Sequence, residues 1–261
     1  MSRLNRRRML ATVGSALTVG LAGCGGGTDD ETTDAGDESP MESPMETPME
    51  TESMGGDMDT ASVRVAHMSP DAPDVDVYVD GSRVLETVPF RDVGPYLDVP
   101  TGARQITVTE AGNESNAVFD QELTLEATDY TLVASGELGE ETFEVLVLGD
   151  DNSDPGGNMT RVRAVHVSPD AGAVDITVNA GPTLFDDVPF KASAYTSVEA
   201  NDYTAQVRPA TDADDGEVVY DADVSLNGGT VYTVFASGYL TPDDEPTDES
   251  FELTVAQDVS Y

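Results

Sequence analysis

The sequence predicts an all-β protein built as two tandem domains of sandwich or barrel type behind an acidic stalk. Three observations predict it. Apolar and polar residues alternate in short runs from Ser62 to the C-terminus, the period of a half-buried strand. The order of motifs in residues 61–149 returns in residues 161–261. The stretch before them is low in complexity and almost purely acidic.

Residues 1–23 read as an address rather than a fold. Arg6 and Arg7 lie in Asn5-Arg6-Arg7-Arg8-Met9-Leu10, which resembles a twin-arginine export motif. The apolar run from Met9 to Ala22 is shorter than the roughly 20 residues a spanning helix needs, and it ends in Leu21-Ala22-Gly23-Cys24, which resembles a lipobox. Cys24 is the single cysteine, so no intramolecular disulfide can form. As the first residue of a processed chain it is the expected lipidation site, since two acyl chains on one thiol-linked glyceride suffice for stable anchoring. The expected location is extracytoplasmic, lipid-anchored to the outer face of the cell membrane.

Residues 24–60 are expected to be a disordered stalk. From Asp29 to Asp59 there are twelve acids and no base, interleaved with Pro, Ser, Thr and Met. Such a composition buries too little apolar surface to offset ordering entropy, and like charges with proline keep it extended.

The first domain, 61–149, opens on Val63-Arg64-Val65-Ala66-His67-Met68-Ser69-Pro70-Asp71-Ala72-Pro73-Asp74-Val75-Asp76-Val77-Tyr78-Val79-Asp80-Gly81. Val75, Val77 and Val79 share one face of a strand, and Asp74, Asp76, Tyr78 and Asp80 are expected on an acidic outer face. Further strands are expected over Arg104–Thr109, Glu122–Leu125, Tyr130–Ala134 and Phe143–Leu148. Short strands at such spacing with turn signals between them belong to a sandwich or barrel. The acidic, turn-rich segment 150–160 is expected to link the copies.

The second domain, 161–261, repeats the order. It carries Val162-Arg163-Ala164-Val165-His166-Val167-Ser168-Pro169-Asp170-Ala171 and then Val174-Asp175-Ile176. Val88-Pro89-Phe90 answers to Val188-Pro189-Phe190, Tyr96 to Tyr195, and Tyr130-Thr131-Leu132-Val133-Ala134-Ser135-Gly136 to Tyr232-Thr233-Val234-Phe235-Ala236-Ser237-Gly238. On these runs the chain resembles the secreted prokaryotic family known as domain of unknown function 4397, in two copies. The resemblance implies immunoglobulin-like or transthyretin-like sandwiches on an exported or surface-attached protein. It carries no catalytic residues with it.

The repeated motif holds both histidines of the chain, so His67, Ser69, Asp71, Asp76, His166, Ser168, Asp170 and Asp175 are the candidate site residues. Their expected role is structural: His at a strand end bonds the following turn, and Ser, Pro and Asp set that turn. Arg64 and Arg163 are expected in structural ion pairs, with Asp76 and Asp175 as possible acceptors. Two enzyme readings compete. A Ser-His-Asp hydrolase would use Ser69 and Asp71, but residues two apart on an extended strand are about 6–7 Å apart, and no nucleophile-elbow sequence occurs. A metal enzyme would need three or four converging ligands, and each copy offers one His and no Cys. A complete calcium loop is absent from Asp71, Asp74, Asp76 and Asp80. No cofactor fingerprint occurs, so no metal and no cofactor are expected. Asn113-Glu114-Ser115 and Asn158-Met159-Thr160 are possible glycosylation sequons.

The leading functional expectation is therefore a non-enzymatic surface lipoprotein acting in extracellular binding, adhesion or envelope structure. Its partners would be the membrane, through its lipid, and an unidentified extracellular or envelope component. A solute-binding lipoprotein is the further alternative, but such proteins close two lobes around a cleft, and no helical lobe is predicted. Nucleic acid is excluded as a partner by charge. The chain has 12 basic and 51 acidic residues, a formal net charge of −39, and phosphate binding requires Lys and Arg.

That charge destabilises a compact state by self-repulsion, and strong salt screens it, the Debye length falling to about 3 Å at 1 M. A halophilic, haloarchaeal source is inferred. The melting temperature is expected to rise steeply between dilute and molar salt; a melting temperature indifferent to salt would refute the inference.

Overall fold

The computed structural model describes residues 59–261. The expected signal peptide with Arg6 and Arg7, the lipidation site Cys24 and the stalk up to Met58 lie outside the described residues.

The chain forms the same eight-stranded unit twice. In the first, β1 (Thr60–His67), β2 (Val75–Val79), β3 (Ser82–Val88), β4 (Leu97–Pro100), β5 (Gly102–Glu110), β6 (Ala117–Leu125), β7 (Asp129–Ser135) and β8 (Glu144–Gly149) make two four-stranded sheets, ordered β4-β1-β7-β8 and β3-β2-β5-β6. In the second, β9 (Met159–His166), β10 (Val174–Val178), β11 (Thr183–Val188), β12 (Ser193–Glu199), β13 (Asn201–Pro209), β14 (Tyr220–Leu226), β15 (Thr230–Ser237) and β16 (Glu252–Ser260) make sheets ordered β12-β9-β15-β16 and β11-β10-β13-β14. The described residues contain no α-helix, only a 3-10 turn at Pro242–Asp244. Pairing is antiparallel except that β1 runs parallel to β7 and β9 parallel to β15.

Alternation places the cores. Val63 and Val65 of β1, Val75 and Val77 of β2, Ile106 and Val108 of β5 and Leu132 of β7 meet between the first pair of sheets. Val162, Ala164, Val174, Ile176, Val207 and Tyr232 do so in the second. Ala205 of β13 holds the register position that Ile106 holds on β5. The smaller side chain accompanies a small apolar cavity in the second core, between Ile176, Phe185, Tyr203 and Leu226.

Turns follow their residues. Asp80 and Gly81 both take positive φ, at 49° and 76°, which is what a two-residue hairpin turn with the twist of its strands requires. Gly136 and Gly238 take φ of 83° and 82°. A side-chain carbon there would strike the carbonyls of Thr142 and Ser250, which explains the repeated Ser-Gly.

The expected acidic outer face of β2 is corrected. Asp76 and Tyr78 are buried, and only Asp74 and Asp80 of that set are exposed. The β3 hairpin and the β5–β6 turn close over Asp76, which β-strand alternation alone does not anticipate.

The strand β1 is buried on both sides because the two domains pack against each other. Ala66, Met68 and Val133 of the first meet Val165, Val167 and Phe235 of the second. Between them lies a polar cluster. Arg64 donates through Nε to Thr131 Oγ1 at 2.9 Å and through Nη2 to Thr233 Oγ1 at 3.1 Å, and Nη2 stands 2.7 Å from Asp258 Oδ1. Arg163 donates to Thr233 at 3.1 Å, to Thr131 at 3.0 Å and to Asp150 Oδ1 at 2.7 Å. The threonine hydroxyls donate onward, Thr131 to Asp150 and Thr233 to Asp258, each at 2.7 Å. Both ion pairs are sealed from solvent. The arginines are in ion pairs, but their carboxylate partners are Asp258 and Asp150, not Asp76 or Asp175. Burial pushes the Asp258 carboxyl up against the pull of Arg64.

Removing one member of such a buried pair strands the other charge, which costs about 3–5 kcal/mol. Arg64→Ala is expected to lower the unfolding free energy by about that amount, read from denaturant unfolding in molar salt. An unchanged midpoint would show that Asp258 carries no uncompensated charge.

Candidate functional site

The repeated motif occupies one end of each sandwich, where β1 turns into β2 and β9 into β10. Its residues point inward and bond the backbone of neighbouring loops. His67 lies at the end of β1, fully buried, with Nε2 at 3.0 Å from the Pro73 carbonyl. His166 does the same to the Gly172 carbonyl at 2.8 Å. A carbonyl only accepts, so Nε2 carries the proton and donates, and the neutral tautomer is assigned by that bond. Burial depresses both imidazoles, against the opposing pull of these carbonyls.

Ser69 Oγ donates to the Gly136 carbonyl and Ser168 Oγ to the Gly238 carbonyl, both at 2.6 Å. Asp71 accepts the amides of Leu138 and Gly139 at 2.9 and 2.8 Å. Asp170 accepts those of Leu240 and Thr241 at the same distances. The Ser-x-Asp pair thus fastens the loop after β7, or after β15, to the strand end.

Asp76 and Asp175 are buried one strand further on. Asp76 accepts from the amides of Thr87 at 2.8 Å and Gly112 at 3.0 Å. Asp175 accepts from Asp187 at 2.9 Å and Thr211 at 3.1 Å. Thr87 and Asp187 have φ of 53° and 50°, a region that a β-branched threonine rarely enters. The carboxylate bond secures that conformation, and the β3 and β11 ladders shift register there. Burial works against ionisation of Asp76, but the Gly112 and Thr87 amides and Arg83 outweigh it and hold its carboxyl below the usual range.

The Val-Pro-Phe runs close the same end. Arg91 and Lys191 donate their amides to the carbonyls of His67 and His166, both at 2.7 Å. Phe90 and Phe190 present an edge-to-face ring contact to those histidines, with centroids 6.2 and 6.1 Å apart. The candidate residues are thus brought together in space, but their shorter polar contacts are to backbone groups; Ser69 Oγ lies 3.4 Å from Asp71 Oδ1 and Ser168 Oγ 3.2 Å from Asp170 Oδ1. Ser69 and His67 are not bonded to each other.

The copies differ at the buried aspartate. In the first, Arg83, paired with Tyr78 in the ladder, reaches Asp76 at 3.4 Å and Glu86 at 3.1 Å. In the second, Thr183 holds that register position and donates to Asp214 at 2.8 Å. Among the described residues no guanidinium replaces the lost charge, and carboxylate oxygens of Asp175, Asp186 and Asp214 lie within 4.8 Å of one another. The neighbouring charge of Asp214, then some desolvation and the charges of Asp175 and Asp187, pushes the exposed Asp186 carboxyl up. An open acidic groove beside it is lined by Asp186, Asp187, Thr211 and Asp212. Sequence reasoning missed Asp186 and Asp214, and the one available signal was the loss of Arg83 between otherwise parallel copies. The sequons Asn113 and Asn158 both lie exposed in turns.

A model of the family described as domain of unknown function (DUF4397) matches residues 61–177 and again residues 165–260. No curated protein matches the chain. Among solved structures it is similar to CBMbc (family CBM26) from Eubacterium rectale Amy13K in complex with maltoheptaose, at 10% identity and a TM-score of 0.25, covering 76% of this chain and 97% of that one. It is also similar to the Bacillus anthracis TIE protein, at 10% identity and a TM-score of 0.23, covering 69% of this chain and 34% of that one. At such values neither likeness bears on function.

The acid cluster has a measurable consequence. A carboxyl raised by its fold is destabilising while ionised, and the strain is relieved as pH falls through the raised value. Asp214→Asn is therefore expected to raise the melting temperature at neutral pH in dilute salt. The gain should shrink on acidification and in molar salt; a gain independent of both would point to a cause other than charge.

Proposed function

The chain belongs to the DUF4397 family, in two copies, and we propose that it is a non-enzymatic, lipid-anchored surface protein of a haloarchaeon. Its two domains act as one rigid module in extracellular binding, adhesion or envelope structure. Cys24 carries the lipid, Arg6 and Arg7 direct export in the folded state, and residues 24–60 hold the module away from the membrane.

The supporting observation is where the motif's polar atoms go. In both copies the histidine, serine and two aspartates bond backbone groups of their own domain. A hydrolase would need the His67 imidazole to take the Ser69 proton, yet Nε2 faces Pro73 and Ser69 faces Gly136. A solute-binding protein would need an open cleft between lobes, whereas the contact between these domains is filled by side chains. The motif therefore holds loops, and the exposed loops and acid-rich faces remain for contact with a partner.

The test has two parts in one strain. Cys24→Ser is expected to move the protein from the membrane to the medium. The released protein is then added, in molar salt, to envelopes of cells that lack it, and saturable rebinding is expected. Retention of the variant at the membrane would overturn the anchor. Release without rebinding would overturn the binding role.

A further inference from the structure

The contact between the two domains is one patch met twice. Arg64 and Arg163 stand at corresponding positions of β1 and β9, and Thr131 and Thr233 at corresponding positions of β7 and β15. Each arginine donates to the threonine of its own copy and to that of the other. Each then closes on the carboxylate at the last strand of the other copy, Asp258 or Asp150, at 2.7 Å both ways. The rim repeats the exchange. Arg91 crosses to Glu252 at 3.5 Å and to the Ser250 carbonyl, and Lys191 crosses to the corresponding Glu144 and Thr142 carbonyl, both at 2.7 Å. Residue i meets j, and the counterpart of j meets the counterpart of i, which defines an isologous interface.

We propose that this face is a homotypic docking surface whose partner is another copy of the same domain, supplied here by the same chain but equally by a second chain. Two unrelated patches have no reason to place each residue opposite the counterpart of its own partner. A face that pairs with itself must do so, because the two-fold axis imposes it. The arginine, threonine and aspartate of one copy satisfy all their charges against an identical set, and none of the three reads which copy it has met.

One contact does read it. Glu137 and Tyr239 follow the repeated Ser-Gly at corresponding positions, and Tyr239 donates to Glu137 Oε1 at 2.9 Å in a buried site. Two first copies would bring Glu137 against Glu137, an uncompensated pair of buried carboxylates. The shared residues make the face self-complementary, and the Glu–Tyr pair favours the unlike pairing found in this chain.

Charge reversal in the full chain tests it. Arg64→Asp with Asp150→Arg turns both clasps between the two copies into like-charge contacts. The same two changes leave the clasp of a second copy complementary to that of another second copy, where Tyr239 meets Tyr239, and the clasp of a first copy complementary to that of another first copy, where Glu137 still meets Glu137. Sedimentation in molar salt is expected to show at least a doubled molar mass relative to wild type. Adding Arg163→Asp and Asp258→Arg restores the clasp within the chain, and the mass is expected to return to the wild-type value. If the quadruple variant folds and the double variant does not associate, the face does not recognise itself and the proposal fails. If the reversed clasp folds in neither variant, deletion of residues 152–157 decides. The shortened chain is expected to dock between chains and double in mass; a monomer with both domains folded would overturn the proposal.

Discussion

Two arginines, two threonines and two aspartates form a reciprocal clasp, closed away from water between the domains. Its geometry explains why β1 and β9 are buried on both sides, and hence why Arg64 and Arg163 stand in strands whose neighbours are apolar. A buried guanidinium is tolerated only when its charge and its donors are met. The threonines do this twice over, accepting from the arginines and donating to the carboxylates. The ring of Tyr96 adds a face to Arg64 at 4.7 Å, and that of Tyr195 to Arg163 at 5.3 Å.

The clasp also accounts for the motif that follows it. Alternation along β1 sends Arg64, Ala66 and Met68 to the interface and Val63, Val65 and His67 to the sandwich interior. The same eight-residue strand thus carries the domain contact on one face and the loop-holding histidine on the other. Ser69 and Asp71 then tie the loop after β7 to that strand, and this loop and the first residue of β8 supply Thr142 and Glu144 to Lys191 of the other copy. Turn, loop and interface are one connected assembly in each domain.

This connection sets what the sequence could reveal. Period-2 alternation and the duplicated order were enough for the strands, the two copies and their β class, because those are local or repeated signals. The loop-binding roles of His67 and Asp71 were partly legible, since Ser-Pro-Asp turns announce themselves chemically. The partners of Arg64 were not. Asp258 lies 194 residues away in sequence from Arg64, and Asp150 falls in a segment whose composition reads as linker yet whose side chain is wholly buried. Asp76 misled for a related reason. Strand parity put it on the solvent face, and only the closure of the β3 hairpin, with Thr87 at positive φ, covers it.

The acidic composition gives the clasp its physical weight. Two domains so rich in carboxylates repel each other, and salt weakens exposed ion pairs as well as that repulsion. Buried pairs are screened much less. Eight basic residues remain beyond residue 24, and four of them, Arg64, Arg91, Arg163 and Lys191, reach across to the other copy. A chain with so few cations places half of these where the acids of two domains meet. Of these contacts the Arg64 and Arg163 pairs, sealed from solvent, are the ones that salt screens least, and they use residues that β1 and β9 already bury.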